Sequence, residues 1–231
     1  MATQWQARAH DNQEKARFEG VGKYDIPALR PVILEGHPEI IGFNFASKYK
    51  HPENVGVHFF LQDYMFIRTW TSPDIYTPML QRFQFVCSPD FSLYTDHPLA
   101  VQIMNHFRKH WLGAYWQAYG MTVIPTICWS DKRSYDFCFD GEPVGGTVAV
   151  SSIGTQSERE SRRLFADGFE EMLVRLNPKV ILFHGEIPKV VSGLLESAAR
   201  DIRIIDTLAF LGNLRKIGGE ADGRTRLTQR T

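Results

Sequence analysis

Val180-Ile181-Leu182-Phe183-His184-Gly185-Glu186 is the stretch on which the fold turns. Four apolar residues in a row, two of them β-branched, read as a strand buried on both faces. The run closes on a histidine, a glycine and an acid. Before it, residues 158–176 read as a helix with Leu164, Phe165, Phe169, Met172, Leu173 and Leu176 on one stripe, ended by Asn177-Pro178. After it, Pro188 to Arg200 reads as another helix with Leu194, Leu195 and Ala198 inward, and Arg203 to Asp206 as a last strand. Strand, helix and strand at this spacing give the rhythm of a parallel sheet with crossover helices.

The same design recurs towards the N-terminus. Val57-His58-Phe59-Phe60-Leu61-Gln62-Asp63, Phe85-Val86-Cys87-Ser88-Pro89-Asp90, Val123-Ile124-Pro125-Thr126-Ile127-Cys128-Trp129-Ser130-Asp131 and Val148-Ala149-Val150-Ser151-Ser152 are apolar runs that end in acids and hydroxyls. Ile40 to Phe45 reads as a first strand, and Tyr76 to Phe83 as a short helix. A long helix follows Asp96 and His97, with Pro98 suited to its first position and Gly120 to its stop. Leu99, Ile103, Phe107 and Trp111 form its apolar stripe, with Ala100, Met104 and Leu112, and Asn105, Arg108 and Lys109 are expected to face away. The expected fold is α/β: a single domain of alternating strands and helices around a mainly parallel sheet. That sheet is either barrel-like (TIM-like, complete or incomplete) or open. Residues 1–24 read as a polar N-terminal arm with Trp5 and Phe18 as docking points, 25–217 as the domain, and 218–231 as a flexible tail.

Composition narrows the partners. Lys and Arg number 26 against 26 Asp and Glu, so no global field draws this 231-residue chain to nucleic acid or anionic lipid. Three scattered cysteines suit a reducing compartment rather than a disulfide scaffold. No apolar run reaches the roughly 18 residues of a membrane span, and the first residues lack a signal-peptide core. A cytoplasmic protein with no membrane partner is the expectation.

In parallel α/β folds the carboxyl ends of the strands line the ligand crevice. Asp90, Asp131, Glu186 and His184 are therefore the candidates for acid–base work, because such chemistry needs carboxylates and imidazoles gathered from different segments. Asp63, Ser92, Tyr94, Thr126, Trp129, Ser130, Ser151 and Ser152 are the candidates for holding a substrate. Each acid could equally cap the helix or turn that follows it. Ser151 to Thr155 could cradle an anion or form an ordinary turn, and it lacks the words of a Walker loop or a dinucleotide fold. His106 and His110 have helical spacing but no H-E-x-x-H word, so no metal set is assigned, and no cofactor is named. Cys128 reads as core. Trp111, Tyr115, Trp116 and Tyr119 with Arg108 and Lys109 could stack bases, although helical spacing favours packing. The partner is a polar small molecule or, in a non-catalytic alternative, nucleic acid.

Several of these words are similar to a family found in bacteria, phages and integrative elements, domain of unknown function 4417. They are Val57-His58-Phe59-Phe60 with Asp63-Tyr64 and Trp70, Pro89-Asp90-Phe91-Ser92-Leu93-Tyr94, Tyr115-Trp116-Gln117 with Gly120, Val123-Ile124-Pro125-Thr126 with Trp129, Phe137-Cys138-Phe139-Asp140-Gly141, and Val150-Ser151 with Gly154. The resemblance covers about residues 40–190. It implies a component of a mobile element and brings no activity with it. Gln62 and Ile67 stand where family members carry acids, which weakens any metal site built on that segment.

Overall fold

The computed structural model describes residues 9–197 and 201–207. An antiparallel pair, β1 (Gly20–Val21) and β2 (Ile26–Pro27), precedes the main sheet. The parallel strands are β3 (Glu39–Gly42), β4 (Val55–His58), β5 (Phe85–Cys87) and β6 (Val123–Ile124), then β7 (Thr147–Ser151), β8 (Val180–His184) and β9 (Arg203–Asp206). The first four form one ladder set and the last three another. A parallel bridge from Thr126 to Ala149 joins them. Around it the Ile127 N–H donates to the Ala149 carbonyl and the Ala149 N–H to the Pro125 carbonyl, both at 2.8 Å. Strands adjacent in sequence are thus adjacent in space from β3 to β9.

The sheet surface curls. Neighbouring strands lie about 4.8 Å apart, so a flat sheet would hold the ends of β4 and β8 about 19 Å apart. Instead the rings of His58 and His184 are 4.5 Å apart. A core cluster draws Ile40, Phe85, Cys87, Ile124, Ala149, Val180, Leu182 and Ile205 from β3 and β5 to β9, together with Leu34. No ladder joins β3 to β9 among the described residues.

Short helices α1 (Phe43–Ala46), α2 (Asp63–Phe66), α3 (Arg68–Thr71) and α4 (Pro73–Leu80) pack near the first strands. Longer ones, α5 (Leu99–Ala118), α6 (Arg159–Leu176) and α7 (Lys189–Ser197), alternate with later strands. Expected elements fall near these bounds, with physical exceptions. Phe43 to Phe45 leave the expected first strand and turn helical at once. Pro98 is the residue before the first helical turn of α5. Gly120 follows α5 with φ of 78°, a conformation that suits its lack of a Cβ. Asn177 ends α6 in the left-handed region, φ 45°. Trp5, Ala198 and 218–231 lie outside the described residues.

One expectation about α5 is overturned. Lys109 is fully buried and Asn105 nearly so, although both were expected to face solvent. The cause is that this face of α5 packs inward: the Lys109 ammonium donates to the Thr126 carbonyl and to Glu142, and the Asn105 amide to the Ser92 carbonyl. The segment before β3 covers other residues of the helix. The Trp111 indole N–H donates to the Ala16 carbonyl at 3.1 Å, Phe18 packs edge-on against Trp111, and His110 meets the Pro27 carbonyl at 2.8 Å. The Gln117 amide exchanges hydrogen bonds with the Arg30 backbone. Phe18 is thus a docking point, and residues 16–30 are part of the core's cover.

Candidate functional site

A cleft of about 800 Å³ opens at the carboxyl ends of β4 to β7. Its walls carry Phe60, Gln62, Tyr64, Asp90, Ser92, Tyr94, Cys128, Trp129, Ser130 and Ser151, then Glu158 and Glu160 from the start of α6. Strand ends converge here because each strand hands its chain to a loop on the same side of the sheet. The lining holds aromatic rings and carboxylates, with no Lys or Arg among the lining residues. A neutral or cationic ligand fits that field better than an anion.

Asp90 is the distinctive group. It follows β5 and Pro89, and burial pushes its carboxyl up to about 6, with Asp63 adding repulsion and Lys109 and the Cys128 thiol opposing the rise. A carboxyl that titrates near neutrality can both take and give a proton. Asp63 has another task. Its two oxygens accept from the Ser92 N–H at 3.2 Å and the Ser92 hydroxyl at 2.8 Å, tying α2 to the loop after β5. Asn105 of α5 holds the same loop through the Ser92 carbonyl, at 2.8 Å. Trp129 is fixed by its indole N–H to the Leu164 carbonyl, at 3.1 Å, and lies flush against Gly168 of α6, where any Cβ would overlap the indole. Ser130 donates to the Gln102 side chain at 2.6 Å.

Other expected residues stand apart from the cleft's lining. Asp131 caps the 3-10 turn Lys132–Asp136, accepts the Arg133 N–H at 2.9 Å and pairs with the Arg133 guanidinium at 2.7 Å, which holds its carboxyl below the usual range. It serves its own turn. Thr126 is buried and clasps β5 to β6: its hydroxyl donates to the Ser88 carbonyl at 2.6 Å while its N–H donates to the Ser88 hydroxyl. Ser152 is buried and donates to the Glu186 carbonyl at 2.7 Å, and Glu186 itself is exposed. The Ser151 to Thr155 loop spends N–H groups on itself, Ile153 to the Ser151 hydroxyl and Thr155 to the Ser152 carbonyl, as a turn does.

His184 sits at the margin. Its Nδ1 lies 2.8 Å from the Thr207 hydroxyl, and its ring stacks on Phe60, a lining residue of the cleft, at 5.0 Å. Burial depresses His184 to about 4 against the attraction of Asp206. Burial, aided by His184, depresses His58 to about 3. Both rings are neutral at physiological pH.

Close to Asp90 lies a buried polar cluster. The Lys109 ammonium donates to the Thr126 carbonyl at 2.8 Å and to Glu142 Oε1 at 2.7 Å. His110 Nε2 lies 2.9 Å from the same oxygen. Burial opposes both charges, yet Glu142 more than offsets it for Lys109, and Lys109 with His110 does so for Glu142, which is held below its usual range. His106 Nε2 lies 3.0 Å from the Asp140 carbonyl. Helix periodicity missed this group because a stripe of apolar residues carries no sign of the Thr126 carbonyl and the 140–142 turn that meet the helix's polar side chains. The signal present in the sequence was the i,i+4 pair His106 and His110 beside the Asp140-Gly141-Glu142 turn.

The cation–aromatic stretch of α5 is interior as well: Trp111, Tyr115 and Trp116 are buried, and Arg108 lies over Trp70 at 5.6 Å. No described helix is long and apolar enough to cross a membrane.

Related proteins come from bacteriophages. The chain is 39% identical over 171 residues to the Gene 1 protein of Mycobacterium phage L5, covering 74% of this chain and 75% of that protein. It is also 39% identical over 172 residues to the Gene 1 protein of Mycobacterium phage D29, covering 74% of this chain and 63% of that one. Residues 18–200 match a family that includes most of the described fold, and the chain belongs to Domain of unknown function (DUF4417).

Proposed function

We propose that this phage-related protein is an enzyme acting on an uncharged or cationic polar substrate of nucleoside or sugar type, with Asp90 as its general acid and base. The observation that carries this reading is a partly buried carboxyl raised to about 6 in the wall of an 800 Å³ cleft. Tyr64, Tyr94 and Trp129 supply faces on which a base or sugar ring stacks, and Ser92, Ser130 and Ser151 supply hydroxyls for its polar edge. Transfer of a glycosyl group needs little more than such carboxylates and a positioned nucleophile. The serial parallel order and the curled sheet support an incomplete TIM-like barrel with its site at the strand ends.

The test is a panel of nucleosides, their 5′-phosphates and aryl glycosides, screened by thermal shift and by product release. Nucleosides or glycosides are expected to stabilise the protein more than the phosphates do. Turnover is expected to fall by about 10²-fold or more in Asp90→Asn. Turnover unchanged in Asp90→Asn, or preference for the phosphates, overturns the reading.

A further inference from the structure

We propose that His106, His110 and Glu142 form a binding site for a divalent first-row transition-metal ion, with zinc the ion that best suits the ligand set. One ligand atom from each residue lies within 4.8 Å of the other two, and all three residues are buried. A zinc ion bonds such atoms at about 2.0–2.2 Å, so the triangle draws in around it.

The hydrogen bonds around the cluster set it up for a cation. His110 Nδ1 faces the Pro27 carbonyl and His106 Nε2 faces the Asp140 carbonyl. A carbonyl only accepts, so each of those nitrogens carries a proton. In the neutral rings the lone pairs are then on His110 Nε2 and His106 Nδ1. Metal-binding histidines are oriented in this way, with the far N–H donated to a carbonyl or carboxylate.

Two acceptors of the cluster also lack ordinary partners. His106 Nδ1 and Glu142 Oε2 are buried with no hydrogen-bond partner. His110 Nε2 lies 2.9 Å from Glu142 Oε1 and donates to it only as an imidazolium, so a metal ion there takes the place of a proton. Orphaned buried acceptors cost free energy that protein folds seldom leave uncompensated. A cation among the three atoms satisfies them together. Lys109, anchored by Thr126, donates to Glu142 Oε1 and holds the carboxylate in position, leaving Oε2 free of partners. The site is separate from the Asp90 cleft and does not depend on the reading of that cleft.

The experiment uses the full chain without a histidine tag. Metal content is measured by mass spectrometry after dialysis against a weak chelator. About one equivalent of zinc per chain is expected, falling below about a tenth in His106→Ala and in Glu142→Gln and remaining near one in His58→Gln. Where a variant does not fold, cobalt-loaded wild-type protein decides, through the intense ligand-field bands of a tetrahedral nitrogen–oxygen site. A metal-free wild type that zinc and cobalt neither bind nor stabilise overturns the proposal. So does metal retained in folded Glu142→Gln, metal lost from His58→Gln alone, or a cobalt spectrum of the weak octahedral kind.

Discussion

The Asp90 cleft and the Lys109–Glu142 cluster are neighbours, with Lys109 attracting the Asp90 carboxyl, and they treat charge in opposite ways. In the cleft a carboxyl is left short of partners and responds by raising its affinity for a proton. In the cluster an ammonium and a carboxylate meet at 2.7 Å with side chains almost wholly withdrawn from water. The first arrangement stores reactivity at the cost of stability. The second holds its charges by mutual attraction and has little tolerance for losing either one. Removing charge therefore acts with opposite signs at the two places.

The largest effect is expected in the cluster. Glu142→Gln strands the buried Lys109 ammonium, and breaking a buried pair in this way costs about 3–5 kcal/mol. Urea denaturation measures it. The double variant Lys109→Met with Glu142→Leu is expected to regain most of the loss, since no charge is then left unmatched. A Glu142→Gln protein as stable as wild type removes the contrast altogether.

His58 and His184 come next, because they are neutral side chains at the cleft's margin that resist protonation. Their folded values of about 3 and about 4 lie below an unfolded value near 6.5. Their contribution to stability is full above pH 6.5 and is lost as the pH falls through about 4. For His184, facing Thr207, Phe60, His58 and Asp206, the loss is on the order of 3 kcal/mol. His184→Asn is expected to flatten stability between pH 6.5 and 4, read by thermal melts across that range. An unchanged acid limb contradicts the neutral ring pair.

The smallest effect is the one of opposite sign. Asp90 has a folded value of about 6, above the ordinary carboxyl range, so its contribution is present at low pH and lost as the pH rises through 6. Asp90→Asn is expected to gain about 1–3 kcal/mol at pH 8 and little at pH 4.5. The gain is trimmed by the lost attraction to Lys109. A variant less stable than wild type at pH 8 would mean that Asp90 is a structural group.

Much of the cleft was legible because strand ends carry a local signature. Asp90, Ser92, Tyr94, Trp129, Ser130 and Ser151 follow apolar runs directly, and the parallel order brings them together. Asp131, Thr126 and Ser152 carry the same signature, yet they satisfy their own turns and strands. Nothing in residue type separates the two groups, since a hydroxyl that caps and a hydroxyl that binds look alike until their partners are located. Lys109 shows a different limit. Periodicity reads which face of α5 is apolar, but Lys109 and Asn105 are buried by partners outside the helix, Thr126 and Glu142 for the one and Ser92 for the other. The curl of the sheet was equally hidden, because alternation along a strand carries no record of the angle between strands.

The indole of Trp129 rests in a notch whose depth is the missing side chain of Gly168. One added methyl group on α6 would have to push the ring toward the open volume it now borders. The bore of the cleft is thus governed by a position outside its lining, about one turn beyond the α6 residues that form the wall. An exchange at this single point would resize the cleft while every side chain that lines it stayed the same.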